Sequence, residues 1–361
     1  MPRVWRSNIA ADIELPANMI LTLEALYSKD LNSSSNRKNI NLPEADRVFT
    51  GVDNRAYWST KKIISTLGSA MVLENSDKGF SSAFTAQLTK NFSNGLSGML
   101  AYTYNYSKDL SANPGSAAYS AWQSNLDAFS INNPQLSYSN FAVPHRVVGS
   151  LSYRIEYLRN FATTLSIYYN GASQGRSSVA YSNDMTGDGV SGDLIYVPKS
   201  KNEISFVDVV KSGQVVMTAA EQADKFWEYV NNDPYLKTRK GEYAERYGYV
   251  NPWKNRWDVK VLQDVFSNFG TNNRYTLQLS LDIVNAGNLL SKNWGLYTRS
   301  GLSNNYSVIM PLTYKGVNNG GAPTFTLNAT DLANFDAKNQ QINQLTTSST
   351  WGMLLGIRLS F

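Results

Sequence analysis

Trp351-Gly-Met-Leu-Leu-Gly-Ile-Arg-Leu-Ser-Phe361 decides the reading of the whole chain. Every odd position in it is apolar: Trp351, Met353, Leu355, Ile357, Leu359 and Phe361. The even positions are small or polar, with Leu354 the exception. A period of two means a β-strand with one apolar and one polar face. Eleven residues match a tilted strand crossing a bilayer, which needs ~9–11. A barrel wall built from such strands requires the rest of the chain to repeat the pattern.

It does. Residues 4–15 set Trp5, Ile9, Ala11, Ile13 and Leu15 against Arg6, Asn8, Asp12 and Glu14. Pro16-Ala-Asn18 turns the chain back into Met19, Leu21, Leu23, Ala25 and Tyr27. Phe80 to Phe92 and Leu96 to Lys108 form a further pair, and the second grows aromatic along one face through Tyr102, Tyr104 and Tyr106. Arg146–Tyr157 sets Val147, Gly149, Leu151, Tyr153, Ile155 and Tyr157 against Arg146, Ser150, Ser152, Arg154 and Glu156. Phe161 to Tyr169, Trp257 to Phe266 and Tyr275 to Ile283 continue the series. Short and long connections alternate, as short periplasmic turns and long extracellular loops do in membrane barrels. With the C-terminus in the periplasm, residues 109–144, 171–252 and 287–348 are extracellular. Residues 62–73 are apolar but break this parity as a wall strand, so they are assigned to an extracellular excursion. About nine or ten wall strands follow. The expected fold is all-β, an antiparallel transmembrane β-barrel section with long extracellular loops.

Composition narrows the function. The chain has 361 residues, 17% of them charged, with 22 Tyr, 14 Phe and 8 Trp. No stretch supplies the ~20 apolar residues of a spanning helix. There is no cysteine and one histidine, His145, so thiolate sites and cysteine nucleophiles are excluded and a zinc site is poorly supplied. The net charge of +5 is dispersed, which argues against a nucleic-acid partner. Nothing assembles a catalytic constellation, and the chain is read as not an enzyme. Met1-Pro-Arg-Val-Trp-Arg-Ser lacks the apolar core of a secretory signal, so on the membrane reading the chain is a processed or truncated product.

Several segments carry a resemblance: Asn133-Pro-Gln-Leu, Phe141-Ala-Val-Pro-His-Arg-Val-Val-Gly-Ser-Leu-Ser-Tyr153, Gly192-Asp-Leu-Ile-Tyr-Val-Pro198, Arg239-Lys-Gly-Glu-Tyr-Ala-Glu-Arg246, Asn251-Pro-Trp-Lys-Asn-Arg-Trp-Asp258 and Leu281-Asp-Ile-Val-Asn-Ala-Gly-Asn-Leu-Leu290. In this order they resemble the barrel of TonB-dependent outer-membrane receptors, the Oar-like branch with relatives of the SusC type. The C-terminal strand is similar to those whose terminal Phe, here Phe361, is read by the barrel-assembly machinery. The resemblance implies a Gram-negative outer-membrane location and a lipid-facing wall. It also implies a barrel of about 22 strands, of which residues 1–361 are the C-terminal portion, without plug domain or N-terminal strands. In the family a plug and TonB gate the uptake of a bulky nutrient such as an oligosaccharide or peptide. This portion alone is expected to be inactive in transport. A structural or adhesive outer-membrane protein, binding partners through its loops, is the alternative. A secreted soluble β-sandwich lectin is a third reading.

Three kinds of site residue stand out. Asp184-Met-Thr-Gly-Asp188-Gly189 with Asp193 has the carboxylate spacing of a calcium loop, although Ile195 stands where an EF-hand has its bidentate Glu. Calcium is therefore the one candidate cofactor, set against an Asp/Gly turn held by its own backbone bonds. Residues 218–232 read as a helix with Thr218 and Glu221 as a capping box. Its stripe contains Trp227. Trp122, Tyr138, Trp227, Tyr235, Trp294, Tyr297 and Tyr306 are the aromatics positioned in long segments to grip a ligand. The charged residues of the polar faces, Arg146, Arg154, Glu156, Asp258, Lys260, Arg274, Asp282 and Arg358, are expected to face the lumen.

Overall fold

In the computed structural model, nine long strands form one antiparallel sheet in chain order: β1 (Arg3–Leu15), β2 (Met19–Asn39), β3 (Phe80–Asn91), β4 (Leu96–Asp109), β5 (His145–Tyr157), β6 (Phe161–Ser173), β7 (Trp253–Phe269), β8 (Tyr275–Val284) and β9 (Gly352–Ser360). The structure describes all residues except 93, 113–114, 159, 270–274, 306–307, 330–331, 333–334 and 339–340. Arg274 and Tyr306 lie outside the described residues. The alternation predicts these strands well because each fixes its register through one apolar face. Residues 62–70 form no strand, and Met71–Ser76 pairs with the far end of β2, so the 62–73 stretch belongs to an excursion between β2 and β3.

The connections alternate without exception. Those at 16–18, 92–95, 158–160 and 270–274 are short, and those at 40–79, 110–144, 174–252 and 285–351 are long. The first hairpin places Ala17 and Asn18 at positive φ, a conformation a tight reversal demands. Gly95 is also left-handed, and a Cβ there would meet the Arg154 carbonyl oxygen at 2.4 Å. All long segments consequently emerge at one end of the sheet.

Register aligns the two faces across the strands. One row runs Leu21, Leu88, Leu100, Gly149, Tyr169 and Trp257. The next but one runs Met19, Lys90, Gly98, Leu151, Ile167, Val259, Ile283 and Met353. The opposite face carries hydrogen-bonded polar ladders. Arg154 pairs with Asp264 at 2.9 Å, Gln278 donates to the same carboxylate at 2.7 Å, and Lys260 pairs with Asp282 at 2.9 Å. Arg256 pairs with Asp258 at 2.8 Å, and Ser152 meets Ser166 at 2.8 Å.

The sheet is open. Strand directions alternate along nine strands, so β1 and β9 point the same way, and among the described residues they do not pair. It also has no core of its own. Among the described residues Ala162 is the only apolar one buried on the nine strands, whereas Leu355 is 80% exposed, Ile357 78% and Phe361 92%. The hydrophobic core sits instead in the long segments. Phe49, Leu126, Val179, Ile195, Phe226, Leu236, Leu312 and Phe325 belong to it, drawn from four stretches of sequence. A six-stranded sheet organises it: Arg176–Tyr181 pairs parallel with Val308–Val317, and Ser205–Phe206 pairs parallel with Pro323–Leu327. Trp58, Trp122 and Ile131 form a smaller satellite core.

Candidate functional site

The long segments build two features able to engage a ligand or an ion. The first is the turn Asp184–Asp193. Asp184 accepts backbone N–H bonds from Gly187 at 2.6 Å and Gly189 at 3.0 Å, and Lys61 pairs with it at 2.9 Å. Asp193 accepts from the Met185 and Thr186 amides at 2.8 and 3.2 Å and from the Thr186 hydroxyl at 2.9 Å. Asp188 accepts from the Val190 amide at 2.9 Å. Short-range bonds of this kind are how Asp residues stabilise tight turns. Asp188 and Asp193 also line, with Asp127 and Asn125, a cavity of about 10 Å³. Burial, with Asp193 adjacent, pushes the Asp188 carboxyl up to about 8. Burial pushes Asp193 up to about 6 against the pull of Arg55. The fold brings Asp184, Asp188 and Asp193 into one turn. Among the described residues, however, no three acidic or histidine side chains are grouped to hold a metal. The donor set fits the self-bonded turn.

The second feature is a pair of adjoining cavities, each about 350 Å³, at the long-segment end of β7. One is lined by Gln174, Ser177, Asn251, Tyr297, Ser300 and Gln344, uncharged side chains beside the single charged residue Arg299. The other is lined by Trp253, Asn255, Trp257, Asn293 and Trp294. They share Thr298. Lys254 sits 3.7 Å from the Tyr297 ring centre, and the Asn288 side chain donates to the Trp294 carbonyl at 2.9 Å. Aromatic faces beside amides and hydroxyls suit a neutral, polyhydroxylated or peptidic ligand. Trp294 and Tyr297 are thus the two candidate aromatics that the fold brings together.

No family model, curated protein or solved structure matches this chain. Its chemistry must be read from its own residues.

The other candidate aromatics do not converge on these cavities. Trp122 is buried in the satellite core and its indole donates to Asn132 at 2.9 Å. Tyr235 packs on the main core, and its hydroxyl accepts the Glu245 amide at 2.8 Å. Trp227 packs on that core from the helix Ala219–Asn232, capped by Thr218 and Glu221. Lys240 covers the Trp227 ring at 4.4 Å. Tyr138 lies between two cations, Lys108 at 4.8 Å and Arg176 at 4.1 Å. His145 accepts or donates to the Tyr102 hydroxyl at 2.7 Å at the strand start, a rim contact.

One network escaped the sequence. Arg55 is fully buried, pairs with Asp53 at 2.8 Å and donates to the Leu194 carbonyl at 2.8 Å. Its guanidinium lies over Tyr243 at 4.7 Å and Tyr181 at 5.4 Å, and Tyr243 donates to Asp53 at 3.1 Å. Burial works against the Arg55 charge, but Asp53, together with Tyr181 and Asp193, offsets it and holds the group above its ordinary value. Nothing in the polar stretch 28–59 marks Arg55 apart from any surface arginine.

Proposed function

We propose that this chain is the lipid-facing wall and extracellular loop assembly of a TonB-dependent outer-membrane receptor that captures a bulky nutrient. One observation carries the reading: a nine-stranded sheet turns most of its exposed large apolar side chains to one face, carries the ion pairs Arg154–Asp264 and Lys260–Asp282 on the other, and sends every long connection out at one end. A soluble sheet with that apolar face would need a second layer, and an exposed band of this size is a binding surface by default. Hydrocarbon is the covering that needs no further protein. Basic groups at midplane would cost ~2–4 kcal/mol each against lipid, and Arg154, Arg256 and Lys260 sit on the opposite face.

Strand parity supports a section of a larger barrel. Bacterial barrels close with an even number of antiparallel strands. β1 and β9 run in the same direction, so an odd number of further strands would complete an antiparallel ring. The polar face then lines the interior. The loop assembly, with its own core, stands above the membrane as a rigid capture surface, and the cavities at Tyr297 and Trp294 are where an oligosaccharide or peptide would first bind. Loss of Trp122, Tyr235 and Trp227 to loop packing favours the adhesive alternative to that extent.

Protease shaving of intact cells tests the reading. Cleavage after Lys237 or Lys240 in whole cells, with the 92–95 and 158–160 turns cut only after permeabilisation, is the expected result. Equal cutting at both ends, or a soluble chain in plain buffer, contradicts it. Energy-dependent uptake of labelled oligosaccharide or peptide that is lost on deleting the gene separates transport from adhesion.

A further inference from the structure

We infer that the extracellular end of the outward face holds a phosphate-bearing lipid headgroup between Lys29 and Lys108. This rests on the membrane reading above and adds a specific lipid contact to it. Along β2 the outward positions run Met19, Leu21, Leu23, Ala25, Tyr27, Lys29; along β4 they run Leu100, Tyr102, Tyr104, Tyr106, Lys108. Both strands pass from apolar through phenolic to cationic side chains in the same direction. Ten residues from Met19 to Lys29 span ~34 Å of strand. At a tilt of ~40° this is ~25 Å along the membrane normal, the height of a barrel's apolar band. Lys29 therefore stands where hydrocarbon gives way to headgroups.

Register puts the two ammonium groups in one row. Trp5 pairs with Lys29, Lys29 with Phe80, Phe80 with Lys108 and Lys108 with Tyr138. Lys29 and Lys108 thus flank Phe80, two strand spacings or ~10 Å apart. Tyr138 closes the row, and Arg176 covers its ring. Buried Arg176 donates to the Tyr247 carbonyl at 3.1 Å, and among the described residues its Nε has no hydrogen-bond partner.

Among the described residues no carboxylate comes within ion-pair distance of Lys29, Lys108 or Arg176. The Lys29 ammonium donates to the Asp77 carbonyl instead. Glu245 is the acidic group whose field reaches Arg176. The strand neighbours Asp30 and Asp109 occupy the alternate positions, and Asp109 is held by Arg246 at 2.8 Å. On the inward face the lysine at the same chemistry, Lys260, has Asp282 as its counter-ion. Two ammonium groups lacking one, at headgroup depth and on the lipid side, match the two negative charges and three acceptor oxygens of a phosphomonoester.

Nanodiscs of phosphatidylcholine, with and without phosphatidic acid, supply the test. Acylation of each lysine is read by mass spectrometry, with Lys237 in the loops as the internal reference. Phosphatidic acid should slow acylation of Lys29 and Lys108 by roughly tenfold and leave Lys237 unchanged. The double variant Lys29→Gln/Lys108→Gln should still insert but retain no phosphatidic acid through detergent washing, while Lys29→Arg/Lys108→Arg retains it. Equal acylation in both nanodiscs overturns the lipid site. So does equal protection by inorganic phosphate in neutral detergent without lipid, which would make the ligand a free anion. Failure to insert in either nanodisc sinks the membrane reading itself, and insertion without lipid-dependent protection sinks only this site.

Discussion

The sheet and the loop assembly obey opposite rules. Among the described residues of the nine strands Ala162 is the only apolar side chain that is buried, and on the polar face Arg154 pairs with Asp264 two strands away and Lys260 with Asp282 on the next strand. In the long segments apolar side chains are inside, and the buried Arg55–Asp53 pair sits among aromatics. The same chain thus contains a region whose stability depends on what surrounds it and a region that supplies its own interior. The contrast teaches that exposure of hydrophobic residues is informative only when it is continuous and one-sided.

The sharpest break in the loop assembly alone should come from Arg55→Ala. Leaving Asp53 buried without its counter-charge costs ~3–5 kcal/mol. Hydrogen exchange should rise around Tyr181, Leu194 and Tyr243 while β4 to β6 stay protected. Uniform loss of protection would show that sheet and loops are one cooperative unit.

Leu151→Arg reverses the test and strikes the sheet. In vesicles it should cost ~2–4 kcal/mol, and Ser152→Arg, one residue away on the other face, should cost far less. Similar costs for the two would remove the distinction between the faces.

The acidic turn responds to pH in a defined direction. The folded-state values of Asp188 and Asp193, about 8 and about 6, lie above the ordinary carboxylate value. The proton is therefore bound more tightly in the folded turn. Its stabilising effect is complete below the unfolded carboxylate range near pH 4 and is lost as pH rises through about 6 and then about 8. Melting of the loop assembly should fall across that window, and Asp188→Asn should flatten its upper part. Bound calcium would favour the ionised forms instead. A chelator that leaves melting unchanged supports the self-bonded turn, and one that lowers it restores the calcium loop.

The smallest expected effect is Thr218→Ala, which removes the cap of the helix Ala219–Asn232. It should cost ~1 kcal/mol of the loop assembly and leave the sheet untouched.

Much of the sheet was legible because period-two alternation is a local property, written wherever one face is apolar. The capping box at Thr218 and Glu221 was legible for the same reason. The loop assembly was not. Its parallel pairings join residues 178–181 to 308–312 and 205–206 to 324–325, and no local pattern encodes partners so far apart. Trp122 and Tyr235 illustrate the cost for site prediction: an aromatic in a polar segment reads the same whether it grips a ligand or fills a core. Trp294 and Tyr297 differ from them only in what surrounds them.

The absence of cysteine allows a single labelled position at a time. Spin labels placed one by one along β9 in lipid vesicles report which face of the sheet meets hydrocarbon. Labels at Met353, Leu355 and Ile357 should be open to oxygen and closed to a water-soluble nickel reagent, with Gly352, Gly356 and Ser360 showing the reverse. Equal access of the nickel reagent to both sets would contradict the membrane reading.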